Sequence, residues 1–459
     1  MTLPGSASGA EPLRFAAATS SYQIEGSLDA DGRGRSIWDT FCAEPGRIVD
    51  GTDGSVVCDS YRRWDADADL VAGLGADAYR FSIAWSRIQP TGSGAIEARG
   101  LDHYERVVDG LLARGLDAHV TLYHWDLPQA LQDAGGWPAR DTALRFADYA
   151  AIVAERLGDR VARWATINEP WVSAFLGHAA GVHAPGHSDA DEAFRSAHHL
   201  LLGHALGATA VRSTVPGAEV GIVLNLTNVL ADDEDVMEVG DRIDAQHNGL
   251  WLGALRDGRY PVLAIETGPA LADPTVVQPG DLHLIAGSAD WLGVNYYSPL
   301  RIAAGGAGVG GPGQEPEAFP GVGAYAPAPR PPLTTMGWEV EPSGLADVLD
   351  RVHAWNPDLP LHITENGAAC PDDVRTGDGS VDDQDRIDYV RRHLDVVDAA
   401  RDRGVDVRTY TVWSLLDNFE WAMGMTQTFG IVEVDPSTLQ RRPKASYHWL
   451  ADEIARRQR

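Results

Sequence analysis

The chain holds 459 residues, 44% hydrophobic and 22% charged, an ordinary globular composition with enough apolar material for a large core. Its 37 basic side chains stand against 66 acidic ones, a net charge of −29, which argues against DNA or an anionic membrane as a partner. Three cysteines, Cys42, Cys58 and Cys370, are too few and too scattered for a disulfide framework or a Cys-rich metal site, and read as buried free thiols.

The first residues, Met1-Thr2-Leu3-Pro4-Gly5-Ser6, have neither a basic nor an apolar stretch, so no signal peptide is expected, and 1–11 reads as a flexible segment. No run of about eighteen apolar residues is present, so no membrane span is expected. A cytoplasmic location follows by default. From residue 12 onward, strand-like and helix-like segments alternate. Candidate strands lie at 14–18, 76–83, 118–122, 163–167, 220–224, 290–294, 361–364 and 407–413, those before Glu169 and Glu365 being apolar, β-branched runs. Amphipathic stretches lie between them. Phe146, Tyr149, Ala150, Val153 and Leu157 recur at helical spacing, and 387–397 behaves similarly.

Eight β/α units predict one closed parallel (β/α)8 TIM barrel over 12–452. An open doubly wound sheet is the competitor, but no G-x-G-x-x-G follows the first strand. The chain exceeds the typical barrel length of about 250 residues, so long βα loops must carry the excess. Segment 303–332 is dense in Gly and Pro and reads as an irregular loop on the active face. The basic end, Arg456-Arg457-Gln458-Arg459, reads as a frayed terminus within a 453–459 tail.

The active face of such a barrel is formed by the C-terminal strand ends. Here those ends are polar and aromatic. Ser21-Tyr22-Gln23-Ile24-Glu25-Gly26 follows strand 1, strand 2 contains Arg80 and ends near Trp85-Ser86-Arg87, and strand 3 ends at Tyr123-His124-Trp125-Asp126. Strand 4 runs into Thr166-Ile167-Asn168-Glu169-Pro170, strand 6 into Asn295-Tyr296-Tyr297, and strand 7 into Ile363-Thr364-Glu365-Asn366-Gly367. Strand 8 gives Trp413-Ser414 and then Asn418-Phe419-Glu420-Trp421. Two carboxylates delivered by two strand ends are the minimum equipment for cleaving a glycosidic bond. The aromatic residues suit the apolar C–H faces of a pyranose, and Gln, Asn, His and Glu suit its hydroxyls. Most of the 14 tryptophans should serve barrel packing.

These strings, with Trp413-Ser414-Leu415-Leu416-Asp417-Asn418-Phe419-Glu420-Trp421, resemble glycoside hydrolase family 1, the β-glucosidases. Segments 15–26, 79–88, 123–129 and Asn295-Tyr296-Tyr297-Ser298 are similar to the corresponding family segments. The resemblance implies a retaining exo-β-glucosidase that needs no cofactor or metal. Glu169 would be the acid/base and Glu365 the nucleophile, with Arg80 and Tyr297 supporting Glu365 and Asn295 orienting the groups around Glu169. Gln23, His124, Asn168, Glu420 and Trp421 would hold the sugar hydroxyls and Trp413 would be the stacking floor. Trp171 and Trp338 would line the aglycone side, with His183 and Asn225 as further candidates. β-Fucosides and β-galactosides would be secondary substrates and transglycosylation a side activity. After Glu420 the family often carries an aromatic and a basic residue, where this chain has Ala422-Met423-Gly424-Met425-Thr426-Gln427-Thr428. Met425 and Thr428 are expected to leave the far end of the pocket less polar. Glu420 itself would repel a 6-phosphate, so a phosphosugar substrate is not expected.

Other classes fit less well. A sugar-binding barrel without catalysis does not need both glutamates. A metal-dependent barrel hydrolase needs a His-x-His near the end of strand 1, where Ser21-Tyr22-Gln23 stands. His198, His199 and His204 lack the H-E-x-x-H arrangement and read as part of a structural helix. Asp232-Asp233-Glu234-Asp235 lacks the glycine and spacing of a calcium loop and reads as a solvated face.

Overall fold

A computed structural model describes residues 11–231, 233–305 and 310–459. Of the expected flexible segment 1–11, all but Glu11 lies outside the described residues. Each of the eight predicted runs is a strand, with bounds within two residues of those expected: β1 Arg14–Ala18, β2 Ala78–Ser82, β3 Asp117–Tyr123, β4 Val161–Asn168, β5 Val220–Asn225, β6 Trp291–Asn295, β7 Leu361–Asn366 and β8 Val407–Trp413. All neighbours pair in parallel, and β1 closes against β8, from Arg14 opposite Thr409 to Ala18 opposite Trp413. The fold is therefore a closed (β/α)8 barrel.

The main helices that follow the strands are α1 Ser60–Gly73, α2 Ala98–Ala113, α3 Arg140–Leu157, α4 Ala190–Thr214, α5 Leu250–Asp257, α6 Pro342–Trp355, α7 Gln384–Asp402 and α8 Ala445–Arg457. The predicted apolar stripe of α3 faces the barrel. Phe146, Val153 and Leu157 are each 0% exposed, and such burial stabilises by about 1.5–3 kcal/mol per side chain. Tyr149 from the same stripe donates its hydroxyl toward the carbonyls of Ile83 and Leu122, satisfying main-chain acceptors where β2 and β3 end.

The loop at 303–332 includes the short strand Ala326–Pro327, which joins Leu300–Ala303 and Val229–Ala231 in a small sheet. This sheet is built from the loops after β5 and β6, so it sits on the active face. The C-terminal end corrects the expectation of a frayed tail. Helix α8 continues through Arg457, whose guanidinium binds Asp398 of α7 at 2.7 and 2.8 Å and Glu453 at 2.6 Å. Buried Leu450 and Ile454 hold this helix down, and basic residues in a last turn favour the negative end of the helix dipole.

Candidate active site

Both paired glutamates owe their placement to irregular strand ends. Between Ala165 and Asn168 the register of β4 slips against β5, three residues spanning what Gly221 to Val223 spans in two. Glu169 then takes φ 46°, a left-handed conformation that costs a non-glycine residue about 1–3 kcal/mol. Its N–H still binds the Val223 carbonyl at 2.9 Å. Strict alternation would send neighbours to opposite faces. The bulge and the turn let Asn168 and Glu169 both enter the site. Strand β7 slips likewise between Ile363 and Glu365 against β6, which re-aims Glu365. Trp125 at φ 75° and Trp421 at φ 50° share the left-handed conformation, so three loops converge on one strained rim. Gly367 is also fixed by contact: a Cβ there would lie 1.7 Å from the Trp413 carbonyl oxygen.

The hydrogen-bond network fixes its own polarity. Arg80 can only donate, giving Nη1 to Glu365 Oε1 at 2.6 Å and to the Thr364 carbonyl at 3.1 Å, and Nη2 to Asn168 Oδ1 at 2.7 Å. Asn168 therefore presents Nδ2 to His124 Nε2 at 3.2 Å, so that ring nitrogen accepts and Nδ1 carries the proton. Burial, then the charge of Arg80, holds the His124 pKa well below the usual range and keeps the ring neutral. Its Nδ1 has no partner among the described residues. Thr364 donates to Asn295 Oδ1 at 2.7 Å, turning the Asn295 amide so that Nδ2 donates to Glu169 Oε1 at 2.7 Å. Tyr297 donates its hydroxyl to Glu365 Oε2 at 2.6 Å.

The two glutamates thus sit in opposite surroundings. Glu365 receives a guanidinium and a phenol, one on each oxygen. Glu169 receives a neutral amide. Burial first, and the charge of Glu365 second, push its pKa well above the usual carboxylate range. Glu420 is raised to about 8 by burial and then by Glu365, and its Oε2 has no partner among the described residues. Arg80 is thus spent on Glu365 and on Asn168. A carboxyl held by a guanidinium facing one whose pKa is raised is the division of labour that acid-assisted displacement requires.

Both glutamates line a cavity of about 340 Å³ together with His124, Trp171, His183, Asn225, Asn295, Tyr297, Trp338, Trp413, Glu420 and Trp421. Trp413 and Trp421 lie nearly parallel to the His124 ring, at centroid distances of 5.8 and 6.0 Å. Trp171 packs on His247 and Phe319, and Trp338 on Tyr297 and Phe429. Among the described residues lining this cavity there is no lysine or arginine. Arg80, Asn168 and Gln23 stand just behind the wall. Gln23 donates its amide hydrogens to Asn418 Oδ1 and the Phe419 carbonyl and accepts from Ser20, which leaves only spare capacity on Oε1.

Two expectations change. Met425 and Thr428 are not among the lining residues. Thr428 spends its hydroxyl on the Cys370 carbonyl, and Met425 is tied through its N–H to Asp50. Ala422, Met423 and Phe429 form that part of the wall instead. Of the polar residues at the strand ends, Glu25 and Arg87 are spent on each other at 2.6 Å, with Tyr104 on the second Glu25 oxygen. Sequence reasoning also passed over Thr364, whose role in turning Asn295 only the register reveals. His198, His199 and His204 bind separate partners, namely Tyr260 with Asp281, the Trp137 carbonyl and Thr166, in keeping with a structural helix. Asp232 lies outside the described residues, and Asp233, Glu234 and Asp235 are exposed.

The family model described as glycosyl hydrolase family 1 matches residues 10–459. This chain belongs to that family. It is 43% identical over 446 residues to a β-glucosidase from Agrobacterium sp., spanning 95% of this chain and 93% of that protein. It is 44% identical over 455 residues to a bifunctional β-D-glucosidase/β-D-fucosidase from Bifidobacterium breve, spanning 96% and 98%. The solved β-glucosidase from Thermotoga maritima in complex with deoxynojirimycin superposes with a TM-score of 0.90 at 41% identity, over 98% of this chain and 99% of that one.

Proposed function

We propose that the chain is a retaining exo-β-glucosidase that removes terminal β-D-glucosyl residues from small β-glucosides and cello-oligosaccharides. The opposed surroundings of Glu169 and Glu365 carry this reading. Glu365, fixed by Arg80 and Tyr297, attacks the anomeric carbon from one face. Glu169, holding its proton by burial and by repulsion from Glu365, protonates the leaving oxygen on the other. Once Glu365 is esterified its charge is gone, so the pKa of Glu169 falls. The same group then removes a proton from the incoming water. Asn295 keeps Glu169 aimed throughout. No cofactor enters either step.

For substrate binding, the free Nδ1–H of His124 and the unpartnered Oε2 of Glu420 are a donor and an acceptor waiting for adjacent sugar hydroxyls. Asn168 holds the 2-OH side, Gln23 offers Oε1, Trp413 stacks beneath the ring and Trp421 closes beside it. Trp171 and Trp338 line the aglycone half, with His183 and Asn225. A cavity wall without Lys or Arg suits a neutral sugar and offers no counter-charge to a phosphosugar. The Bifidobacterium relative's name supports β-fucosides as secondary substrates, β-galactosides being the other expected class, and a sugar acceptor in place of water gives transglycosylation. Family membership from residue 10 onward supports a single catalytic domain. Three unpaired cysteines support a reducing cytoplasm, and the net charge of −29 supports the absence of nucleic-acid partners. Among the described residues, no helix is long and apolar enough to cross a membrane. Cello-oligosaccharides as substrates support a role in cellulose breakdown, and the bacterial relatives support a bacterial source.

Proton NMR of p-nitrophenyl β-D-glucoside hydrolysis tests the mechanism. β-Glucose is expected as the first-formed sugar. α-Glucose first would mean direct attack by water and reduce Glu365 to a base.

A further inference from the structure

Away from the cavity wall, the segment that joins the turn after Glu169 to α4 gathers a second set of ligating side chains. His178 Nδ1 lies 3.3 Å and His187 Nδ1 2.6 Å from the same oxygen, Glu192 Oε2. Among the described residues this is the one group of three His, Cys, Asp or Glu side chains whose ligand atoms all fall within 4.8 Å of one another. None of the three lines the substrate cavity.

The main chain preforms the cluster. His187 N–H binds the Gly177 carbonyl at 3.0 Å and Asp189 N–H binds the His178 carbonyl at 2.6 Å, pinning both ends of the segment together. Asp189 in turn caps α4 through the Glu192 N–H at 3.1 Å. The two imidazoles meet at 88° with centroids 5.3 Å apart, so they point at the carboxylate from two directions. Ligands about 2.0–2.1 Å from a tetrahedral zinc stand about 3.3 Å apart. The His178–Glu192 edge already has that length. The His187–Glu192 edge, now 2.6 Å, must open by about 0.7 Å. The His187 side chain is 41% exposed and free to swing, whereas that of His178 is 1% exposed and fixed.

We propose that His178 Nδ1, His187 Nδ1 and Glu192 Oε2 form a zinc site, with water completing the tetrahedron. Two imidazoles and one carboxylate favour zinc over calcium or magnesium, which prefer oxygen alone. The ion enters from the His187 side. Its role is structural: it clamps the segment that carries His183 onto Trp38 and Trp125 at the pocket rim.

The test uses tag-free, full-length protein stripped with EDTA. Calorimetric titration with zinc chloride should show one saturable ion per chain, and cobalt chloride should give the visible absorption of a tetrahedral centre. Zinc should raise the thermal midpoint, while turnover of p-nitrophenyl β-D-glucoside survives EDTA. His187→Ala should weaken zinc binding by at least about tenfold and abolish the thermal shift. The His187 side chain is 41% exposed, so this variant should fold, its metal-free midpoint lowered only by loss of the His187–Glu192 hydrogen bond; Glu192→Gln provides the second variant. The site is overturned by the absence of saturable binding, or by zinc that binds equally well to both variants, which would locate it elsewhere on the acidic surface.

Discussion

Replacing Glu365 with glycine should lower kcat on p-nitrophenyl β-D-glucoside by about 10⁴ to 10⁶-fold, the range seen when a nucleophile is removed from a preorganised site. The rest of the pocket should survive. Arg80 keeps the Thr364 carbonyl and Asn168 Oδ1, and Tyr297 keeps its ring contacts with Trp338 and Phe429. Widowing a fully buried cation costs about 3–5 kcal/mol. Here the remaining acceptors and the adjoining cavity reduce that loss, so the variant should fold with a lowered thermal midpoint. Sodium azide should restore turnover by occupying the space of the missing carboxylate. Its product should be the α-glucosyl azide, because a single displacement inverts a β-glucoside. A β-azide, or a variant that keeps its activity, would remove Glu365 from the nucleophile's role. Glu365→Gln adds an electrostatic readout. With the Glu365 charge gone, Glu169 loses its second-largest cause of elevation, and its titration should move toward ordinary carboxylate pH.

Much of this architecture was legible because its causes are local. A buried parallel strand packs on both faces, so runs such as 220–224, Val-Gly-Ile-Val-Leu, stand out as apolar stretches between polar loops. The short motifs were legible for a related reason: each packs several functional groups into one strand end. What escaped depends on distant pairing. Asn168 and Glu169 are neighbours in sequence, and only the register slip of β4 against β5 explains how both enter the barrel mouth. Thr364 looks like one more β-branched strand residue until its hydroxyl is found on Asn295. Glu25 and Arg87 have the composition of site residues, yet they satisfy each other. Met425 and Thr428 sit a few positions from Glu420, but main-chain geometry turns them away and presents Ala422 and Met423. The basic end looked frayed because charge was read without the buried Leu450 and Ile454 that pin its helix. His178, His187 and Glu192 follow no motif spacing, and only the folded segment brings them together.

Glu169→Ala should divide the two half-reactions. With cellobiose, whose leaving alkoxide needs a proton, kcat/KM should fall by about 10² to 10⁴-fold, the usual worth of a general acid. With 2,4-dinitrophenyl β-D-glucoside the leaving group departs unaided, so formation of the glycosyl-enzyme should persist. The second step lacks its base, and a burst of dinitrophenolate followed by slow turnover should appear. Azide should accelerate that turnover and give the β-glucosyl azide, since it attacks an α-linked intermediate from the opposite face. The contrast with the α-azide from Glu365→Gly distinguishes the two carboxylates by product alone. The pH profile supplies the sign check. Burial and the neighbouring charge raise the pKa of Glu169, so its acid form persists above the usual carboxylate range. Parent kcat/KM should hold as pH rises through ordinary carboxylate values and decline only as Glu169 deprotonates. In Glu169→Gln that alkaline decline should vanish for the dinitrophenyl substrate. A decline that persists unchanged would assign the proton to another group, with Glu420 the nearest alternative because its carboxyl also titrates high, at about 8.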